Sequence, residues 1–424
     1  MYTTTSTNQT ASQSSNQVLA TERLARQHQL DWLRVFALGL LIFYHTAMVF
    51  VAEWGFHFKS VYQSESLQHI MLIVEPWRMA CLWFISGVAL QTAFSHVSSS
   101  QLILRRSFHL LFPLLIGVLV VVPPQLYVEM TTSGHLEMSF IEFMREFFST
   151  NSPIFNNYQS GIWPHIDVNH LWYLRSLWKY SLVIIVCSPM LNSDLIHRYL
   201  DTLIANKLWL IVLLCYLPLV WLQFFLDGDD KRYVSGFVFL LYGFIAAKHP
   251  VIWSKLARNL SLIATVALLN FVFMQVFYHM TFSSAFQSLD ADWLPALRVS
   301  YSMAKLLGLF TMLAIASRFF NRKSDTVSRL NEYVYPCYIL HQTYIVVIAW
   351  LLSFYTLGGP ITYSLIVGLT GLACALSIWL IKQSSLLKIC FGMPISKRLS
   401  PVFYWSFYPL ATLGCLFIGL EILF

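Results

Sequence analysis

The chain has 424 residues, of which 57% are hydrophobic and only 11% are charged, and its mean hydropathy is +0.61. Soluble globular domains carry about 25% charged residues, so this composition excludes an ordinary soluble protein and predicts a protein embedded in a lipid bilayer. The formal net charge is +7. We attribute it to membrane topology, because the basic residues lie between apolar runs, and it calls for no nucleic-acid partner.

The beginning of the chain differs from the rest. Its first residues, MYTTTSTNQTASQSSNQ, are rich in Ser, Thr, Gln and Asn and contain too few apolar side chains to build a core. We therefore predict a disordered tail over residues 1–30.

The seven cysteines include no CxxC pair and fall mostly in apolar runs, so we predict packing thiols and no metal site.

Apolar runs long enough to cross a membrane recur along the remaining chain. Backbone polar groups in a bilayer must be paired within helices or a closed barrel, and continuous rather than alternating apolar runs predict helices. Eleven spans are predicted, at residues 32–52, 70–94, 108–130, 170–191, 208–226, 233–248, 260–280, 299–318, 334–357, 361–382 and 403–424.

The distribution of Lys and Arg predicts the orientation of these spans. With the N-terminus in the cytoplasm, most of the 27 Lys and Arg residues lie on the inner side. Acidic residues such as Glu137, Glu142, Asp227 and Asp290 then fall in outer loops. This asymmetry follows the positive-inside rule.

The first span contains titratable side chains. Arg34 precedes His45 by eleven residues, so at about 100° per residue the two share one helix face, about 16 Å apart along the axis. Asp31 lies on the same stripe. We predict Asp31 and Arg34 at the inner surface and His45 inside the membrane, where a polar group indicates a functional site. The alternatives are a packing role for His45 and a headgroup contact for Arg34.

The second span and the segment after it add further polar groups. Glu75 and Arg78 are three residues apart and can pair, Ser86 returns to the same face, and Gly87 permits a close helix crossing. An intrahelical ion pair alone is the alternative role for Glu75 and Arg78.

Basic residues follow the second span, and more polar groups lie in later spans. Arg105 and Arg106 can bind anionic lipids or a soluble polyphosphate at the inner surface. The later candidates are His170 at the outer entrance of the fourth span, the stripe Trp172, Arg175 and Lys179 within it, and His341 in the ninth span. Together these groups predict an all-α, polytopic transmembrane bundle of about 10–11 helices around a polar cavity, with a cytoplasmic N-terminus.

Several of these segments resemble, in order, the acyltransferase family 3 membrane proteins. They are the Arg34–His45 spacing, WRMACLWFISG, RRSFHLLFP, HLWYLRSLWKYSL, YVYPCYILHQ and SLLKICFG. The WRM…FISG and HLW pair is similar to the subgroup that contains the periplasmic glucan succinyltransferases. The resemblance implies a membrane domain over residues 31–395. Residues 396–424, which contain the eleventh predicted span, are predicted to form an additional C-terminal transmembrane helix.

The resemblance also implies a function. Such proteins transfer an acyl group, of the acetyl or succinyl class, from cytoplasmic acyl-CoA to a hydroxyl of a carbohydrate or glycolipid on the periplasmic side of the cell inner membrane. The family pattern assigns the acyl-CoA to Arg34, Arg105 and Arg106, and Asp31, on the same stripe as Arg34, is predicted to belong to this donor site as well. It often contains a further Arg three residues later, where this chain has Phe108 and His109.

In the implied mechanism His45 is the general base on the acceptor hydroxyl, or alternatively forms an acyl-imidazole intermediate. Acyl-CoA is a co-substrate, and no tightly bound cofactor is expected. The groups predicted to line the acceptor side are Glu75, Arg78, Ser86, His170, Trp172, Arg175, Lys179 and His341. The alternative function is a polytopic transporter or flippase of a small anionic or glycan substrate, although no convincing internal repeat is seen between the two halves of the chain.

Overall fold

A computed structural model describes residues 27–156, 168–282, 290–394 and 409 of the chain. Within these ranges the regular structure is entirely helical, apart from one isolated bridge between Val51 and Ser64. The predicted disordered tail up to residue 26, and all of the predicted eleventh span except residue 409, lie outside the described residues.

The helices of the described ranges are numbered here in chain order. They are α1 (His28–Met48), α2 (Leu67–Met71), α3 (Glu75–Phe94), α4 (Ser99–Ile116), α5 (Pro123–Thr132), α6 (Phe140–Phe147), α7 (Trp172–Leu191), α8 (Asp194–Asn206), α9 (Leu208–Phe225), α10 (Gly228–Ala246), α11 (Val251–Arg258), α12 (Leu260–Phe282), α13 (Asp290–Phe319), α14 (Asp325–Leu352), α15 (Gly359–Gln383) and α16 (Ser385–Cys390).

Eight segments of the described chain are long and apolar enough to cross a membrane, and there are up to ten if each of two bent helix pairs is one span. This confirms the predicted all-α polytopic class. The predicted fifth and sixth spans correspond to α9 and α10, which form the bent pairs α8–α9 and α10–α11 with their neighbours, and the second pair is bent by 107°. In each pair a helix of mixed polarity is joined to an apolar helix. Hydropathy alone does not reveal the bend between them.

Two boundaries differ from the predicted ones in a way that affects the site. The first span begins at His28 and ends at Met48, so His45 lies in its last helical turn. The third span begins at Ser99 rather than at residue 108, so Arg105 and Arg106 lie within α4 and not in a loop before it. The reason is amphipathicity: Leu104 and Phe108, four residues apart, are buried on one face of α4, while Arg105 is exposed.

The chain divides into two compact units. One consists of Met1–Leu33, Met79–His96 and Leu191–Ser324, and the other of Arg34–Arg78, Val97–Met190 and Asp325–Phe424. The candidate site described below lies within the second unit.

In the first unit, α3 and α10 cross closely enough for their backbones to touch. A Cβ atom at Gly87 would lie 1.9 Å from the carbonyl oxygen of Leu240, and one at Gly243 would lie 2.0 Å from the carbonyl oxygen of Phe84. Both distances are far below van der Waals contact, so only glycine fits at either position. The close approach predicted at Gly87 is confirmed.

In the second unit, a π-helical turn over Gly117–Val121 separates α4 from α5. The amide of Val122 donates to the carbonyl of Gly117 at 2.9 Å, and Pro123 and Pro124, which follow, have no N–H to donate. The next amide, that of Gln125, bonds to Val122 at 2.9 Å, so the carbonyl of Val121 is left to accept a side-chain hydrogen bond.

The segment after α1 is held against that helix by Lys59. Its ammonium donates to the carbonyl of Met48, the last residue of α1, at 2.9 Å and to the carbonyl of Val51, three residues beyond the helix end. Burial lowers the pKa of Lys59, and the carboxylate of Glu53 opposes that shift. Phe58, the residue before Lys59, packs in an apolar cluster. The segment that carries His57 is therefore fixed in position on both sides of Phe58.

Candidate functional site

Two histidines from distant helices form the centre of the site. Nδ1 of His45, on α1, lies 3.0 Å from Nε2 of His341, on α14. The two rings are nearly parallel, with 5.1 Å between centroids and 15° between planes. His341 is fully buried, whereas His45 is only partly buried. The pair predicted from sequence as separate intramembrane histidines is therefore one unit.

The direction of the hydrogen bonds in this pair follows from a backbone carbonyl. Nδ1 of His341 lies 2.8 Å from the carbonyl oxygen of Tyr338, which can only accept, so Nδ1 of His341 carries the proton. Nε2 of a neutral His341 is then an acceptor, and Nδ1 of His45 must donate to it. Nε2 of His45 keeps its lone pair. Among the described residues it has no hydrogen-bond partner.

His170 belongs to the same buried network. Its Nε2 donates to the carbonyl of Ile339 at 2.9 Å, and its Nδ1 accepts from the amide nitrogen of Gln125 at 3.3 Å. Its ring also meets that of His341 edge-on, with 5.7 Å between centroids. We expected His170 to face the acceptor at an outer entrance. Both its ring nitrogens are occupied and the residue is buried, so it supports the neighbouring groups instead.

Gln125 connects α5 to α14. Its amide nitrogen donates to the hydroxyl of Thr343 at 2.6 Å, and that hydroxyl donates to the carbonyl of Val121 at 2.6 Å, the acceptor which the π turn leaves unused. Its carbonyl oxygen accepts from the amide nitrogen of Gln342 at 3.2 Å. The histidine network is thus anchored by hydrogen bonds to three backbone carbonyls, those of Val121, Tyr338 and Ile339.

A carboxylate and a fourth imidazole extend the network toward solvent. Nδ1 of His57 lies 2.6 Å from a carboxylate oxygen of Glu129, and Nε2 of His57 lies 2.9 Å from the amide oxygen of Asn169. The same amide oxygen accepts from Gln342 at 3.4 Å. The side chains of His57 and Glu129 are 21% and 36% exposed, so this end of the network reaches the surface of the unit.

A second cluster contains the basic residues predicted to hold the donor. Arg106 on α4 lies within electrostatic range of Arg34 on α1 and of the rings of Tyr173 and Tyr335. The hydroxyl of Tyr335 donates to the carbonyl of His109 at 2.9 Å. Arg105 is exposed and is an electrostatic neighbour of His109. The structure therefore gathers Arg34 and Arg106 into one basic cluster.

The C-terminal segment SLLKICFG contributes to the same region. Gly392 has a φ of +66°, and a Cβ atom there would lie 1.9 Å from the ring of Tyr335. Glycine is the residue that tolerates both the left-handed backbone and the contact. The final motif noted in the sequence thus ends against an aromatic neighbour of Arg106.

The remaining predicted residues are placed as follows. The guanidinium of Arg78, in the first turn of α3, lies 3.7 Å from the ring centroid of Tyr44, next to His45 in sequence, and Glu75 is a further electrostatic neighbour of that tyrosine. Trp172, Arg175 and Lys179 are partly buried on α7 in the second unit, whereas Asp31 and Ser86 belong to the first unit.

Sequence reasoning missed His57, Glu129, Gln125 and Asn169. A glutamate in the apolar run that ends the third span was a usable signal for Glu129, and the position of Asn169 directly before His170 was another. His57 gave none, because it lies in a short segment without helical periodicity. No group of three or more His, Cys, Asp or Glu side chains within the described ranges is arranged to hold a metal ion.

Comparison with known proteins gives one match. The model of the acyltransferase family 3 domain matches residues 27–380, which include all the site residues described above except Gly392. No curated protein and no solved structure matches the chain.

Proposed function

The chain belongs to acyltransferase family 3 and is a membrane acyltransferase, and on this premise we propose that it is an O-acyltransferase acting across the membrane. It transfers an acyl group of the acetyl or succinyl class from cytoplasmic acyl-CoA to a hydroxyl of a carbohydrate or glycolipid on the outer side. The observation that carries this proposal is the directed His341–His45 pair, which leaves Nε2 of a partly exposed histidine as a base.

His45 acts as the general base in this proposal. Its Nε2 takes the proton of the acceptor hydroxyl while the hydroxyl oxygen attacks the carbonyl carbon of the thioester. The tetrahedral intermediate collapses with cleavage of the carbon–sulfur bond, and the imidazolium returns the proton to the CoA thiolate. The products are an ester and free CoA, with no net gain or loss of protons.

His341 is a positioning residue in the same step. Its Nε2 accepts the hydrogen bond from Nδ1 of His45, and this bond strengthens as His45 becomes positively charged. The Tyr338 carbonyl holds the tautomer of His341 that makes this possible. His341 thus has the role of the group that orients the catalytic histidine in a catalytic triad.

The basic cluster of Arg34 and Arg106 is the proposed site for the phosphates of acyl-CoA. Two guanidinium groups within electrostatic range of one another repel, and a bound polyphosphate relieves that repulsion while it accepts charge-assisted hydrogen bonds. Arg105, exposed on the helix that carries Arg106, adds a further positive charge. Asp31 remains a sequence-based prediction on this side.

On the acceptor side we assign Arg78, with Glu75, and the α7 stripe of Trp172, Arg175 and Lys179. Their support is their chemistry, since cations, carboxylates and an indole bind sugar hydroxyls and ring faces. Ser86 remains a sequence-based prediction. The excess of Lys and Arg on one side of the predicted spans supports a cytoplasmic N-terminus, and the location that we propose is the cell inner membrane. The family assignment favours acyl transfer over the alternative of transport.

His45→Gln tests the proposal. Glutamine keeps a polar side chain of similar reach but cannot accept the proton, so acyl transfer falls by about 10²–10⁴-fold, as expected for loss of a general base. The measurement is transfer from radiolabelled acyl-CoA in membranes, together with acyl-CoA binding and expression level of the variant. Near-normal turnover by a variant that inserts and binds the donor rules out His45 as the base.

A further inference from the structure

The proposed mechanism makes no use of the contact between His57 and Glu129. These residues are 72 positions apart in sequence, yet His57 Nδ1 and Glu129 Oε2 approach to 2.6 Å. Such a short distance between a carboxylate and an imidazole, at the partly exposed end of a buried network, indicates a functional role.

His57 itself has no spare nitrogen for chemistry. Gln342 donates its amide hydrogens to Gln125 and to Asn169, so the amide oxygen of Asn169 is an acceptor and Nε2 of His57 must donate to it. Nδ1 faces the carboxylate. Both ring nitrogens of His57 therefore already have partners, and the ring positions the carboxylate of Glu129.

Glu129, in contrast, has an oxygen to offer. Oε2 is occupied by His57, while Oε1 has no hydrogen-bond partner among the described residues, and the side chain is 36% exposed. An anionic oxygen that is held in place and reaches solvent is a ready acceptor for a hydroxyl donor.

The backbone at Asn169 is an independent observation. Its φ is +51°, and it is the one non-glycine residue with a positive φ in the part of the chain that the structure describes. Non-glycine residues in this conformation are uncommon and concentrate at functional sites. Here the conformation directs the amide oxygen to His57.

The pair also lies near the proposed base. The ring of Phe56 is 6.3 Å from that of His45 and 5.4 Å from that of its neighbour His57, and the two imidazoles are within electrostatic range. A substrate large enough to contact both His45 and Glu129 spans several heavy atoms, as a sugar ring does.

We propose that Glu129, positioned by His57, is an acceptor-binding residue: its free oxygen accepts a hydrogen bond from a second hydroxyl of a polyhydroxylated acceptor while His45 receives the hydroxyl to be acylated. This inference rests on the proposed function and specifies its acceptor as a molecule with at least two hydroxyl groups close together. His57 and Asn169 are positioning residues for that contact.

The test is a steady-state comparison of Glu129→Gln with the wild type in native membranes. The donor is radiolabelled acetyl-CoA or succinyl-CoA, and the acceptor is an envelope glycan fraction extracted from cells that lack this protein. Glutamine cannot offer an anionic oxygen, so the acceptor concentration for half-maximal rate rises by about 10–100-fold, the usual effect of losing a charge-assisted hydrogen bond. The KM for the donor is unchanged.

Glu142→Gln is the matched control. Glu142 is an exposed glutamate whose carboxylate accepts from the backbone amide and hydroxyl of Ser139 at the start of α6, outside this network. Glutamine can keep that capping contact, so neither KM changes. Asn169→Asp retains an oxygen for His57 and preserves most of the acceptor affinity, whereas Asn169→Leu, of similar size but without that oxygen, weakens it, which a merely space-filling role of Asn169 does not predict.

An unchanged acceptor curve for Glu129→Gln overturns the proposal, and so does a fall in rate with both KM values unchanged, which indicates a structural pair. If Glu129→Gln fails to insert, Glu129→Asp keeps the charge but shortens the reach and is judged by the same criterion. Absence of transfer by the wild type to any glycan fraction refutes the proposed function, and this inference falls with it.

Discussion

At the scale of single residues, His341 decides which nitrogen of His45 carries a proton. The Tyr338 carbonyl fixes the tautomer of His341, and His341 in turn fixes that of His45. His45 can act as a base only because these two hydrogen bonds run in the same direction, from His45 to His341 and from His341 to the Tyr338 carbonyl. The same buried contact in reverse would place a proton on Nε2 of His45, where the proposed acceptor hydroxyl needs a lone pair.

His341→Ala removes the acceptor for Nδ1 of His45, so His45 adopts both tautomers and loses its orientation. We expect acyl transfer to fall by roughly 10²–10⁴-fold while donor binding is kept. His341→Gln provides a carbonyl oxygen that can accept from Nδ1, and it retains part of the activity. The measurement is the rate at saturating substrates in membranes with equal amounts of protein.

The chain provides its own control for that variant. His197 and His249 form another imidazole pair in the first unit, also with 3.0 Å between ring nitrogens and 5.1 Å between centroids. His197→Ala removes a comparable contact without touching the proposed site, so it leaves the rate constant for transfer intact. Equal losses from His341→Ala and His197→Ala would mean that histidine pairs serve only stability here.

The site residues that could be predicted from the sequence are those that interrupt apolar helices. His45 and His341 are polar groups in otherwise apolar spans, which is a strong signal on its own. Their mutual hydrogen bond joins positions 296 apart, and helical periodicity carries no information about such distant pairs. His57 lies outside the helices altogether, so its pairing with Glu129 became visible only in the structure.

At the scale of helices, glycine positions determine how closely α3 and α10 approach. The two glycines face each other's helix reciprocally, since Gly87 meets the backbone of Leu240 and Gly243 meets that of Phe84. The sequence predicted one half of this contact, from Gly87. The π turn in the third span was not predicted, because the run GVLVV is apolar throughout and gives no sign that its hydrogen-bond pattern changes.

Gly87→Ala forces the two backbones apart, because its Cβ atom would overlap a carbonyl oxygen that cannot rotate away. We expect destabilisation of more than about 2 kcal/mol, the range for overpacking a rigid contact. The readout is the apparent Tm of the detergent-solubilised protein, followed by loss of monodisperse material on heating. Gly243→Ala should behave in the same way.

Gly39→Ala is the appropriate control for this prediction. Gly39 lies within α1, and a Cβ atom there would have no neighbour within 4 Å. Alanine in a helix interior is favoured over glycine by about 0.5–1 kcal/mol, so the apparent Tm stays equal or rises. A Gly87→Ala protein as stable as Gly39→Ala would contradict the close crossing.

At the scale of the whole molecule, the distribution of charge predicts which way the chain crosses the membrane. The proposed chemistry depends on this orientation, since acyl-CoA is a cytoplasmic molecule and the basic cluster of Arg34 and Arg106 must face it. The sequence predicted the helical class of the spans, and eight of the eleven predicted spans correspond to candidate spans of the described chain, because apolar length is a local property. It did not predict the division into two units, which depends on contacts between segments far apart in the chain.

Ser98 and Ser133 allow the orientation to be tested with two equivalent positions. Both are exposed serines, and they flank the single membrane-crossing segment Ser99–Thr132. With a cytoplasmic N-terminus, Ser98 lies inside and Ser133 outside. In a background without native cysteines, Ser133→Cys is expected to react with a membrane-impermeant maleimide in intact cells, and Ser98→Cys only after lysis. Labelling of both in denaturant measures the total thiol. The reverse pattern would place Arg105 and Arg106 outside, where cytoplasmic acyl-CoA cannot reach them, and equal labelling of both sites in intact cells would contradict a crossing between them.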